Sequence, residues 1–183
     1  ISHIQKVLYG SKSFIKGDKS IDNLTYTKTG ELHIAAGIGN QDSVFSGEND
    51  SIIFAAVADG VSACRNSRKG ADFIVSLAFK VMSTDCEYIF DISAEKAAYI
   101  LTDYFRKKLK ELAKTENLAP ESYSCTISFI CQQKKTGRVM SFILGDSNIY
   151  AVKGKKIDCL TGSREFFGRC CSIMTDGAAG QSK

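Results

Sequence analysis

The chain has no tryptophan, one proline (Pro120) and two histidines (His3 and His33) in 183 residues. It has no Cys-x-x-Cys pair, although seven cysteines are present: Cys64, Cys86, Cys125, Cys131, Cys159, Cys170 and Cys171. With so few histidines to join them, a zinc site is not expected. An odd number of thiols with no signal-peptide pattern fits a reducing compartment, so a cytoplasmic location is expected. The chain does not begin with Met, which is compatible with removal of a leader or an upstream domain. No apolar run approaches the ~20 residues that cross a bilayer, so no membrane partner is expected. A large excess of either charge is also lacking, the net charge being +4. The densest basic stretches, Arg106–Lys110 and Lys153–Lys156, have no interleaved aromatics. They fit a solvated helix face and a hairpin turn, and nucleic acid is not expected as a partner.

Hydrophobic residues make up 44% and charged residues 24%, as in ordinary soluble domains. The length suits one domain with a proper core, and a monomer is expected. Residues 1–30 are polar and weakly patterned, which suggests an arm with one edge strand. Glu31–Ile38 is a candidate strand followed by a loop over Gly39–Ser43, and Ser51–Ala58 is a buried strand. Ala71, Ile74, Val75, Ala78, Val81 and Met82 recur at helical spacing and predict a helix over 68–82, capped by Asn66 or Ser67. A second helix is predicted from Ser93 to Lys114, with Ser93 as N-cap and Glu95 in the first turn. After Pro120 the pattern turns to strands: Tyr123–Cys131, Val139–Leu144, Asn148–Val152 and Lys156–Leu160, an antiparallel meander. Helices set between groups of strands imply an α+β fold with sheets covered by helices.

Three of these apolar runs end on an acidic turn. Ser51–Ala58 ends at Asp59-Gly60, Met140–Leu144 at Gly145-Asp146-Ser147, and Cys170–Thr175 at Asp176-Gly177. Carboxylates delivered at strand ends suit Mg²⁺ or Mn²⁺, which prefer oxygen ligands. Glycine beside the Asp lets backbone approach closely and present its carbonyl. An isolated Asp-Gly would be a plain turn; the ordered set argues for a metal site. Gly-Asp-Ser also opens a lipase/esterase nucleophile motif, but that chemistry needs a downstream His, and both histidines lie upstream. Arg65 and Arg68 are expected to face solvent ahead of a helix, the alternative being contact with a phosphate.

Asn40-Gln41-Asp42, Val57-Ala58-Asp59-Gly60-Val61, Gly70-Ala71, Gly145-Asp146-Ser147 and Thr175-Asp176-Gly177 occur in the order found in metal-dependent serine/threonine phosphatases of the PP2C type. The chain resembles that family over roughly residues 33–180. The resemblance implies an αββα sandwich of two antiparallel sheets flanked by helices, with two Mn²⁺ or Mg²⁺ ions at one end. It implies that Asp59 bridges both ions, that Gly60 offers its carbonyl, that Asp176 ligates the other ion, that Asp42 orients bound water, and that Asp146 holds a third, weaker ion with Asp176. Paired cations lower the pKa of a shared water and neutralise phosphate charge, so no covalent intermediate is needed. The implied partners are a phosphorylated protein substrate and a cognate serine/threonine kinase.

The sequence departs from the pattern in several places. Gly37 stands where the family often has a phosphate-clamping Arg, and Asn148 replaces an Arg often seen after Gly-Asp-Ser. Gln41 in place of an acidic residue is a smaller departure. A further C-terminal metal Asp is missing, and Thr161–Ser172 is short for the family's connection. Segments are therefore expected to be missing after residue 161 and at the C-terminus, or the domain to be reduced. A pseudophosphatase that binds phosphoproteins is the alternative reading.

Overall fold

The structure is a computed structural model and describes residues 6–11 and 21–159. Its strands are β1 (Lys6–Ser11), β2 (Ile21–Tyr26), β3 (Ser43–Glu48), β4 (Ile52–Ala58), β5 (Ile127–Gln133), β6 (Val139–Leu144), β7 (Tyr150–Lys153) and β8 (Lys156–Cys159). Its helices are α1 (Glu31–Ala35), α2 (Ser67–Asp91) and α3 (Ala94–Thr115), with a short 3₁₀ turn at Pro120–Tyr123. The class is α+β: a four-stranded antiparallel sheet in the order β3-β4-β5-β6, and two antiparallel pairs, β1-β2 and β7-β8.

The sheet is the part that carries the site. On one face Ile52, Phe54, Ala56 and Ala58 of β4 join Ile127, Phe129 and Cys131 of β5 in the core, under the buried stripes of α2 and α3. A row of rings crosses all four strands there. Phe45 meets Phe54 with centroids 6.3 Å apart, Phe54 meets Phe129 at 5.2 Å, and Phe129 stacks on its ladder partner Phe142 at 5.1 Å. Such cross-strand pairs fix register as well as adding burial. Phe79 of α2 and Phe105 of α3 close over the row, 5.6 Å from Phe54 and 5.9 Å from Phe142. The other face carries Ile53, Ala55, Val57 and Ile130. Ala55 is only 2% exposed, so that face is covered as well. An apolar second face is what a central strand of a layered fold requires.

Several expectations need correction. Glu31–Ile38 is no strand: α1 occupies its first five residues, and Gly37 closes it at φ +67. Gly37 N–H donates to Ile34 O and Ile38 N–H to His33 O, a Schellman closure that the alternation of apolar residues concealed. The polar N-terminal stretch supplies two strands rather than one. β3 was not anticipated, because Ser43-Val44-Phe45-Ser46-Gly47-Glu48 has a weak strand pattern and forms by pairing with β4. α2 runs nine residues past Met82, since Cys86 and Ile89 continue its buried stripe beneath an exposed polar run. The late meander divides: β5 pairs β6 and β7 pairs β8, with no ladder between β6 and β7. α3 matches its predicted span, and Ser93 Oγ accepts from Lys96 N–H as its cap. Asn66 stands at the N-cap of α2 without a side-chain cap bond.

Candidate metal centre

Antiparallel order brings one end of β3, β4, β5 and β6 together: β3 and β5 begin where β4 and β6 finish. Ser43 faces Ala58 in the β3–β4 ladder, so one further step sets Asp42 opposite Asp59. Ile127 faces Leu144 in the β5–β6 ladder, so Gly145 and Asp146 leave the sheet at the same end. Three acidic turns far apart in sequence thus meet at one rim.

Asp59 is held by its backbone. Its N–H donates to Thr126 Oγ1 at 3.0 Å, and its carbonyl accepts from Thr126 N–H at 2.8 Å. Gly60 bridges to Cys125, and Val61 N–H donates to Ser124 O, so the chain stays paired beyond the strand. Gly60 is a true close approach: a Cβ there would lie 2.6 Å from the Gln41 carbonyl oxygen and 2.9 Å from Ser67 Cβ. Only glycine lets the Asp42 loop and the start of α2 press on this turn. Asp42 is 2% exposed, and its N–H donates to Asn40 Oδ1 at 3.0 Å.

The carboxyl groups act on one another. Burial, a hydrogen bond that protonated Asp59 donates to Asp42, and the charges of Asp42 and Asp146 push Asp59 up to about 7. A carboxylate in that position binds either a proton or a cation. The donor set fits a hard divalent ion: carboxylate oxygens beside a glycine whose backbone can come close. Two polar atoms at the same turn, Gln41 Oε1 and Ser67 Oγ, are buried without a hydrogen-bond partner. Among the described residues no three His, Cys, Asp or Glu side chains converge tightly enough to hold an ion alone. Asp42 and Asp59 are in contact, Asp146 acts at longer range, and Asp176 lies outside the described residues, as do Cys170 and Cys171.

A family model for protein phosphatase 2C matches residues 29–181. The chain belongs to the protein phosphatase 2C family. No curated protein and no solved structure matches it. The matched span includes Asp42, Asp59 and Asp146, which the sheet gathers at its rim.

Two further members of this rim, Thr126 and Ser67, carry no site motif, and Arg68 reads in sequence chiefly as a solvent-facing residue. Only the β4–β5 register shows that Thr126 brackets Asp59. Arg68 lies inside the first turn of α2, where its Nη1 donates to Asn40 O at 3.3 Å; Arg65 is exposed. A cavity of about 530 Å³ opens at the opposite end of the sheet beside Asp50, Ser83 and Gln133, away from this rim.

Proposed function

We propose that this protein is a metal-dependent phosphatase that hydrolyses phosphoserine and phosphothreonine in proteins. The observation that carries the reading is the meeting of Asp42, Asp59 and Asp146 at one sheet end, with Asp59 driven up to about 7 by burial and its acidic neighbours. Asp59, the Gly60 carbonyl and Asp176 would hold two Mn²⁺ or Mg²⁺ ions, and Asp146 a third, weaker one. When bound, such ions make water acidic enough to attack phosphorus near neutral pH and offset charge on the phosphoryl oxygens.

The chain's own groups do the rest. Thr126 fixes Asp59 through both backbone groups, so its carboxylate is placed without waiting for ligand. Asp42, buried at Asp59's side, accepts a proton from attacking water and orients it. Gly60 keeps the turn tight between the Asp42 loop and the start of α2, and its carbonyl would be the backbone ligand. No thiol is needed: burial pushes the Cys125 thiol far up, so it is no nucleophile.

Gly37 favours a second reading, a pseudophosphatase that binds phosphoproteins, since it leaves the family's usual phosphate clamp empty. Hydrolysis of a small aryl phosphate separates the two. Activity that appears with Mn²⁺ and disappears with EDTA supports the enzyme. No turnover, with no thermal shift on adding Mn²⁺, supports the binding module. We place the protein in the cytoplasm, as a monomer acting opposite a serine/threonine kinase. No helix among the described residues is long and apolar enough to cross a membrane.

A further inference from the structure

Gly37 cannot be replaced by the missing phosphate clamp without strain. At φ +67 it occupies backbone space that side-chain-bearing residues rarely adopt, and it closes α1 there. Any arginine that meets the substrate phosphate must come from another element.

One arginine stands at the right rim. Arg68 donates through Nη1 to Asn40 O at 3.3 Å and through Nε to Asp72 Oδ2 at 2.8 Å. Asn40 Oδ1 in turn accepts from Asp42 N–H, and Asp42 bonds Asp59. From the other side, Ser67, next to Arg68 in the chain, presses on Gly60. The guanidinium is therefore bonded to the loop that carries Asp42, and its helix start packs on the turn that carries Asp59.

The arginine is also built to accept an anion. A guanidinium has five N–H donors in a rigid fork; Asp72 and Asn40 take one each, which leaves the remainder for a phosphoryl group. Its side chain is 49% exposed, so substrate can reach it. The ion pair with Asp72, one helical turn on, limits its rotamers and lowers the entropy lost on binding. The first turn of α2 has no acidic residue, and Asn66 provides no side-chain cap, so the positive helix end adds to the same field.

We infer that Arg68 is the substrate-phosphate anchor of this chain, holding the phosphoryl group of a phosphorylated Ser or Thr beside the Asp42–Asp59 pair in place of the clamp that Gly37 excludes. The inference rests on the phosphatase reading for the hydrolysis of the bound group, and on geometry for the binding itself.

The test measures both separately. With Mn²⁺ present, inorganic phosphate is titrated calorimetrically into wild type, Arg68→Ala and Arg68→Lys, and each is assayed on a phosphothreonine peptide. Arg68→Ala is expected to weaken phosphate binding and raise KM by at least about tenfold, the loss of one charge-assisted anchor, with a smaller fall in kcat. Arg68→Lys restores part of the affinity, because it returns the charge without the fork. It also reads the loss of the fork should the alanine variant fail to fold. Unchanged phosphate affinity and KM in both variants overturn the inference while leaving the phosphatase intact. Phosphate binding that depends on Arg68 without peptide turnover upholds the inference and overturns the phosphatase. A wild type that binds no phosphate overturns the inference whatever its turnover.

Discussion

At Asp59 the proposed role in catalysis and the demands of stability oppose each other. The fold holds this carboxyl where burial and Asp42 raise it to about 7 from the ordinary 3.8. A raised carboxyl favours the fold while protonated, and that contribution is lost as pH climbs through the folded value. Asn is neutral at every pH and can keep a hydrogen bond to Asp42. Asp59→Asn is therefore expected to raise the melting temperature of the metal-free protein at pH 8, remove the thermal shift produced by Mn²⁺, and drop aryl-phosphate hydrolysis to the buffer background. Wild-type turnover in this variant would remove Asp59 from the chemistry. Asp59 and Asp146 could be singled out in sequence because each sits in a turn that ends an apolar run, whereas Asp42 stood out only through the family resemblance. Thr126 and the place of Arg68 were not legible, because their importance comes from which strand or loop lies opposite, and a single sequence does not display register.

Among the elements, legibility followed the strength of the periodic pattern. α3 could be read to within a residue because Ala97, Leu101, Phe105 and Leu109 form one stripe and Ser93 supplies its cap. β4 was equally plain as an apolar run buried on both faces. β3 was hidden because it is an edge strand with serine and glycine in its middle, and its partner supplies what its own propensity lacks. α1 was hidden for the opposite reason: five residues show too little periodicity to tell helix from strand, and the deciding signal is the closing Gly37. The junction between α2 and α3 gives a test at this scale. Ile92 adopts φ −94, ψ 168 and breaks the helix, and Ser93 starts the next one through its hydroxyl, 3.3 Å from Lys96 N–H. Ser93→Ala is expected to cost about 1 kcal/mol in denaturant unfolding and to leave Mn²⁺-dependent hydrolysis as it was, since this junction is bonded by Arg138 at the start of β6, the end of the sheet away from the acidic rim. A loss much larger than that would mean that the helix pair depends on the junction for its packing as well.

Across the whole molecule, the start of α2 is where packing and the proposed phosphate anchor meet. Arg68 and the neighbours of Gly60 sit on a turn braced by the 3₁₀ segment: Asn66 N–H donates to Ser122 O, and Gly70 lies so close to the Tyr123 carbonyl that no side chain fits between them. Tyr123 itself is fully buried. Its hydroxyl donates to Glu116 Oε2 at 2.5 Å, and Glu116 also pairs with Lys69 of α2 at 2.5 Å. Burial first, and then the hydrogen bond to Glu116, push the phenol up to about 12 from the ordinary 10.0. Below about pH 10 the folded and unfolded chains both keep the proton, and Tyr123 adds no pH dependence. Between about pH 10 and about pH 12 the unfolded chain releases it while the fold retains it, so stability falls as pH rises. The denaturation midpoint of wild type is therefore expected to drop more steeply than that of Tyr123→Phe across this window, the difference between the two curves removing the other tyrosines and the lysines. Parallel curves would show that the fold does not hold this phenol protonated.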